Sequence, residues 1–357
     1  MNDITKMLIQ STTKIMKDLS TKELVNEAEK GLWASELWET LAESGMVTVV
    51  VPEELDGTGG SFVDAFHILR LAAKYSAPVP LAETFLTNWL LADAGQKVTS
   101  DPLTIAWKYS KPFTFRSDRD GWIVSGKADA VPWARHCKRM LVLGKLGFES
   151  VLAIIDPARG QIEHGENMAG EARDTIVFHE SRFDSTSCQL IPVDENRVKE
   201  WIWHTGALMR SVMMAGALER IMELTVTYTS ERTQFGKPLH RFQAIQHQLA
   251  LLAGEAAAAD TAANYAVDAY QSGQRSKEIG MAKIRINEAV SAGAPIAHQV
   301  HGAIGFTHEH ILHQSTRRVW SWREEFGTET EWSERLAALL TKVDHNKLWS
   351  FITAKST

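Results

Sequence analysis

Along the first hundred residues, apolar side chains recur at steps of three and four, the spacing of one helix face. In STKE, the Ser20–Glu23 spacing predicts a capping box that opens a helix. Ser35 is placed to cap a second helix that carries Leu37, Trp38 and Leu41 on one side and stops at Gly45, where a left-handed residue ends many helices. The run VTVVV, Pro52 and the glycines at 57, 59 and 60 then predict a loop. Phe62, Ala65, Phe66, Leu69 and Leu71 predict a further helix from about Ser61.

The pattern changes near Asp101. Short runs rich in Val, Ile, Trp and Phe (LTIAW, FTFRS, DGWIVSG, RMLVLGK, VLAIIDP) are separated by Gly, Asp, Pro and Lys, which predicts a small β region ending near Pro192. The helical period then returns. A segment of about 199–230 places Leu208, Val212, Ala215, Ile221, Met222 and Val226 on one broad face. An Ala-rich helix is expected over 243–272, and its small side chains let helices approach closely. A third, over 277–300, contains Pro295, which predicts a kink or a break. A last helix is expected over 331–348. The expected division is a helical domain at 1–102, a middle β domain at 103–193 and a helical bundle domain at 194–357.

Composition narrows this picture. A chain of 357 residues exceeds what one hydrophobic core usually serves. The net charge of −6 carries no basic footprint, so a nucleic-acid partner is not expected. Cys137 and Cys188 are too few for a disulfide framework. No uncharged run is long enough to cross a bilayer, and the start of the chain lacks a signal layout, so a cytoplasmic protein without a membrane partner is expected. Twelve Trp is a high count. Trp320, Trp322 and Trp332 suit either subunit contacts or the gaps between helices.

Four segments carry chemistry: VPEELDGTGGSFVD (51–64), DGWIVSGKADAVPWA (120–134), ERTQFGKPLHRFQAIQHQLA (231–250) and HQVHGAIGFTHEHILHQSTRRVW (298–320). In the third, Arg232 is a planar, multi-donor cation suited to phosphate oxygens, and Gly236 permits a sharp turn. Together and in this order, the segments resemble the acyl-CoA dehydrogenase family, the third most specifically, through its RxxFGxPLxxFQ pattern. The resemblance covers nearly the whole chain. It implies an acyl-CoA dehydrogenase-like fold: an N-terminal all-α domain, a small middle β domain and a C-terminal four-helix bundle through which tetramers form. It implies FAD as cofactor, oxidation of an acyl-CoA thioester between Cα and Cβ, and electron transfer to an electron-transfer flavoprotein. By the same resemblance, Arg232 contacts the FAD pyrophosphate of a neighbouring subunit. Gln234, Phe235, Leu239, Phe242 and Gln243 surround its adenosine half, and Gln299, Gly302 and Ala303 bring backbone close to it. Thr328 follows from the GT of the family's YEGT-like segment. Ala303 stands where a second Gly is usual.

The resemblance fails where the proton is removed. The Glu of the YEGT-like segment falls on Phe326, with Gly327 and Thr328 in register. The alternative position, on the helix before RTQFG, falls on Gly206, and its usual Arg neighbour is Ala207. Glu325, beside Phe326, is the remaining candidate base, although a one-residue shift redirects a side chain. A TEPxxGSD-like loop is absent, and the strand beside the flavin reads Ala130-Val131-Pro132, where Pro132 removes a donor. Two readings follow: a complete dehydrogenase, as a homo-oligomer using Glu325, or a non-catalytic subunit that completes the FAD site of a related partner. An acyl-CoA-binding relative without redox chemistry is a third, disfavoured by the intact FAD pattern. His308, Glu309, His310 and His313 lack the spacing of a helical metal site, so no metal is expected. Met209, Met213, Met214 and Met222 read as core.

Overall fold

The structure, a computed structural model, describes residues 3–273 and 277–353. Five helices come first: α1 (Asp3–Leu19), α2 (Lys22–Ala28), α3 (Ser35–Glu43), α4 (Phe62–Lys74) and α5 (Leu81–Asp93). Eight strands follow: β1 (Leu103–Ala106), β2 (Tyr109–Asp118), β3 (Gly121–Pro132), β4 (Arg139–Leu146), β5 (Glu149–Ile155), β6 (Gln161–Glu163), β7 (Arg173–Asp184) and β8 (Gln189–Pro192). The long helix α6 (Glu195–Glu231) leads into a two-strand hairpin, β9 (Thr233–Gln234) and β10 (Lys237–Pro238). Then come α7 (Gln243–Gln271), α8 (Lys277–His301), α9 (Leu312–Arg323), α10 (Glu329–Leu340) and α11 (Leu348–Thr353). The order is helical, β, helical, as expected.

The chain forms two compact units. One comprises residues 17–65 and 78–202 and is built on the sheet. Its strands run in the order β6-β7-β3-β2-β4-β5-β8, with β1 parallel to β4 off that path. Phe113, Phe115, Val124, Met140, Val142, Ile176 and Phe178 fill its core. Helices α2, α3 and α5 belong to this unit because their polar side chains reach the β region. Trp38 Nε1 donates to the Ser100 carbonyl at 3.1 Å, and Thr84 Oγ1 accepts from the Leu103 amide at 3.1 Å. The other unit comprises residues up to 16, 66–77 and 203–357. Its interior is lined by Leu208, Val212, Leu218 and Ile221 of α6, Ala259, Ala263 and Ala266 of α7, and Ile286, Ala289 and Ala297 of α8.

Several local expectations change. The N-cap of α2 is Thr21, whose hydroxyl accepts from the Leu24 amide; Ser20 is one residue too early. Ser35 lies inside α3, and the cap position is Ala34, which makes no side-chain bond. Gly45 is left-handed just beyond α3, as expected. Pro295 does not break α8. It faces solvent, and the Ser291 carbonyl it leaves unpaired belongs to an exposed residue that water can reach. The expected last helix ends earlier, at Leu340, with the short α11 beyond it. Helix α9 escaped the periodicity because its buried face holds Gln314, Ser315, Thr316 and Arg318, which read as polar surface. Trp322 and Trp332 are each 2% exposed and fill the interior rather than a surface.

Candidate functional site

The two positions at which a base was sought lie against each other. Gly206, in α6, has no side chain, and the ring of Phe326 fills that space. A Cβ at 206 would sit inside van der Waals distance of three Phe326 ring carbons. Phe326 is 4% exposed and has φ 54°, a left-handed conformation that costs a bulky residue free energy and needs support from its surroundings. That support is local. Trp332 Nε1 donates to the Phe326 carbonyl at 2.9 Å. Gly327 has φ 106°, and a side chain there would strike Trp332 and Trp203.

Glu325 does not point into an open cleft. Its Oε2 accepts from Arg210 Nε at 2.6 Å, with side chains 13% and 3% exposed respectively. Arg210 lies one α6 turn beyond Gly206, and its guanidinium stands 5.8 Å from the Phe326 ring centre. Ala207 is fully buried and offers its carbonyl to Ser211 Oγ at 2.8 Å. Thr328 caps α10: its hydroxyl accepts from the Glu331 amide, and the Glu331 carboxylate accepts from the Thr328 amide at 2.8 Å.

The segment after α6 is the opposite in character. Arg232 is exposed, and its guanidinium has no ion-pair partner among the described residues. Its carbonyl accepts from the Leu239 amide at 2.9 Å, which closes the hairpin. Phe235, at the hairpin tip, is 91% exposed with φ 52° and meets Phe242 edge-on at 6.2 Å. Gly236 has φ 78°, the conformation expected of a sharp turn. Gln234 and Gln243 are exposed, and Leu239 and Phe242 are half-buried. The end of α8 packs on the last turns of α6. Tyr228 stacks on His301 at 4.5 Å and donates to its carbonyl at 3.3 Å. Gln299, Gly302 and Ala303 are exposed there, and Gly302 has φ 66°. An unpaired guanidinium, three exposed glutamines, an uncovered aromatic ring and open backbone together suit a ligand bearing both phosphate and an aromatic ring. FAD fits that donor chemistry.

The histidines of 298–313 contact one another and nearby aromatic rings. His301 lies 4.7 Å from His310, and His308 lies 4.7 Å from His313. Among the described residues, no group of three His, Cys, Asp or Glu could hold a metal ion. Burial pushes the His301 pKa down to about 4, and its Nδ1 bonds the Ala297 carbonyl. In the β unit, Ala130 and Trp133 both have positive φ, at 52° and 56°. The β3–β7 register shifts between Ala128 and Val131, which places a bulge at residues 129–130, while Val131 and Pro132 pair with Asp174 and Arg173. No sequence signal pointed to Arg210 or Lys283, the buried cations near Glu325, because a lone Arg or Lys in a helix reads as surface.

Comparison with known proteins identifies the class. The family model for the acyl-CoA dehydrogenase C-terminal domain matches residues 198–340, and that for the N-terminal domain matches residues 3–99. An acryloyl-CoA reductase (NADH) of Anaerotignum propionicum is 33% identical over 320 residues, covering 80% of this chain and 81% of the relative. The acyl-CoA dehydrogenase IpdE2 of Mycobacterium tuberculosis is 28% identical over 284 residues, covering 79% and 80%. Among solved structures, the ChsE4-ChsE5 complex from Mycobacterium tuberculosis superposes with a TM-score of 0.81 at 19% identity, covering 96% of this chain and 99% of that one. The chain belongs to the acyl-CoA dehydrogenase family. No helix among the described residues is long and apolar enough to cross a membrane.

Proposed function

We propose that this chain serves FAD-dependent α,β-dehydrogenation of an acyl-CoA as the subunit without a base, completing the cofactor site of a related, base-bearing dehydrogenase subunit. The observation that carries this reading is the Phe326 ring seated on Gly206: both positions at which the family keeps its carboxylate are closed to proton transfer. Glu325 offers no replacement. Its carboxylate is engaged by Arg210, and taking up a substrate proton there would weaken the pair that holds the buried guanidinium.

Bound FAD would supply the acceptor for hydride from the β carbon. This chain's part is binding. Arg232 neutralises phosphate charge, Gln234, Gln243 and Gln299 offer amide donors, and Phe235 and Phe242 present ring faces and edges. Gly302 and Ala303 let backbone approach closely. Phe235 at 91% and Phe306 at 67% exposure are large apolar surfaces that a partner subunit would cover. The fold neighbour described as a ChsE4-ChsE5 complex contains two chain types, which supports a heteromeric arrangement. A relative named as a subunit of a caffeyl-CoA reductase-Etf complex supports an electron-transfer flavoprotein as the redox partner.

The test is to purify the chain alone and co-expressed with a base-bearing acyl-CoA dehydrogenase subunit. FAD per chain and acyl-CoA-dependent reduction of a ferrocenium acceptor are then measured. The expected result is a colourless, inactive protein alone and a yellow, active complex. Activity of the complex survives Glu325→Gln and is lost with Arg232→Ala. One FAD per chain in the isolated protein, with oxidation abolished by Glu325→Gln, establishes a complete homo-oligomeric enzyme instead.

A further inference from the structure

Beneath the Phe326 seat lies a lysine that the functional reading does not use. Lys283, in α8, is 0% exposed. Its Nζ donates to the carbonyls of Trp322 at 3.1 Å and Arg323 at 2.9 Å, and to Asn287 Oδ1 at 3.2 Å. Asn287 Nδ2 donates to the same Arg323 carbonyl at 3.3 Å. Trp322 and Arg323 are the last residues of α9, where carbonyls lack the amides of a next helical turn, and the Trp322 carbonyl also accepts from the Glu325 amide at 3.2 Å. A cation here also meets the negative end of the helix dipole. Three ammonium hydrogens face three acceptors, so the head group is matched to its cage.

The next residues are those that close the base positions. Segment 324–328 leaves α9 at Glu324, carries Glu325 and Phe326, and enters α10 through the Thr328 cap. It is held by Arg210 from α6, by Trp332 from α10 and, at its root, by Lys283 from α8. We propose that Lys283 is the positioning residue of this segment, capping α9 from inside so that Phe326 seats on Gly206 and Glu325 meets Arg210. The inference does not depend on the flavin reading.

The charged groups around Lys283 give this placement a pH signature. Burial, the largest influence, pulls its pKa down to about 7; Glu325 and Glu329 oppose that, Arg210 adds to it and Glu324 opposes it. Arg323, whose guanidinium pairs with Glu329 at 2.6 Å, completes the set. A seated lysine therefore binds fewer protons than one that reaches water. By linkage, seating strengthens as pH rises through about 7 towards the ordinary lysine value of 10.5. Once neutral, the amine turns a lone pair to one of its three acceptors, which shifts the hydrogen bonds at the root of the segment.

The experiment uses 5-fluorotryptophan-labelled full-length protein and ¹⁹F NMR. The Trp332 resonance, assigned through Trp332→Phe, reports on the indole that donates to the Phe326 carbonyl. The expected result is a resonance that titrates with a midpoint near 7 in the wild type and no longer titrates in Lys283→Met. A role limited to overall stability would lower the melting temperature without removing that titration. If Lys283→Met does not fold, Lys283→Gln, which keeps two donors, takes its place. A wild-type resonance that ignores pH, or a titration that persists in the substituted protein, overturns the proposal.

Discussion

The 206/326 contact and the 232–243 hairpin lie in the same compact unit and resolve opposite problems. At the first, a glycine and a left-handed phenylalanine close against each other, and an arginine pairs with the neighbouring Glu325 carboxylate. At the second, a cation, amides and an aromatic ring are exposed to solvent. Under the proposed function, packing stands where a base would be needed, and exposed polar and aromatic groups stand where the cofactor would bind. A buried seat needs no second molecule to make sense, whereas an exposed Phe235 and an Arg232 without an ion-pair partner among the described residues do.

The comparison breaks most sharply at the ion pair. Arg210→Met leaves the Glu325 carboxylate buried without its guanidinium, and the expected cost is about 3–5 kcal/mol in chemical denaturation. Arg210→Met with Glu325→Leu should recover most of it. A single-variant loss below about 1 kcal/mol would show that the pair is solvated and the segment free to move. Arg232→Ala should leave stability within about 0.5 kcal/mol, because the side chain is exposed. It should nonetheless weaken FAD retention by the co-purified complex roughly tenfold to a hundredfold, the scale of charge-assisted hydrogen bonds. Retention unchanged in that variant removes the hairpin from the cofactor site.

Gly206→Ala forces a methyl group into the Phe326 ring and should cost about 1–3 kcal/mol, as overpacking does. Phe326→Ala in the same chain should abolish that penalty relative to Phe326→Ala alone. Additive losses would mean that the two residues do not touch. The smallest effect concerns pH. His301 is buried in its neutral form, with its pKa depressed to about 4 from 6.5. The unfolded chain takes up a proton below 6.5 that the folded chain refuses, so stability present above that value falls as pH drops towards 4. His301→Phe, which keeps the stacking on Tyr228, should flatten this acid limb in thermal melts; an unchanged slope assigns it to other groups.

Much of the fold was legible because periodicity survives without tertiary context. The strands at 103–106, 139–146 and 149–155 fall on the apolar runs, and α6 and α7 lie within a few residues of their expected spans. Strands β6 and β7 were less legible. In β7, the charged Arg173 and Asp174 are themselves buried, and Arg135 pairs with the fully buried Asp174. A sequence shows the charge but not the partner that lets it be buried. The same blindness hid α9, with its polar buried face, and the Arg210–Glu325 pair, whose members are separated by more than a hundred residues.

The sequence by itself determined the order of elements, the family, the residue types of the hairpin and the absence of a carboxylate at 206 and 326. These depend on local spacing and residue identity, which the chain states directly. Only the tertiary structure decided that Phe326 lies on Gly206, that Glu325 is bound to Arg210, and that Lys283 sits beneath them. Each is a contact between helices distant in sequence. Its free energy comes from desolvation and directed hydrogen bonds, which exist only once the helices have packed.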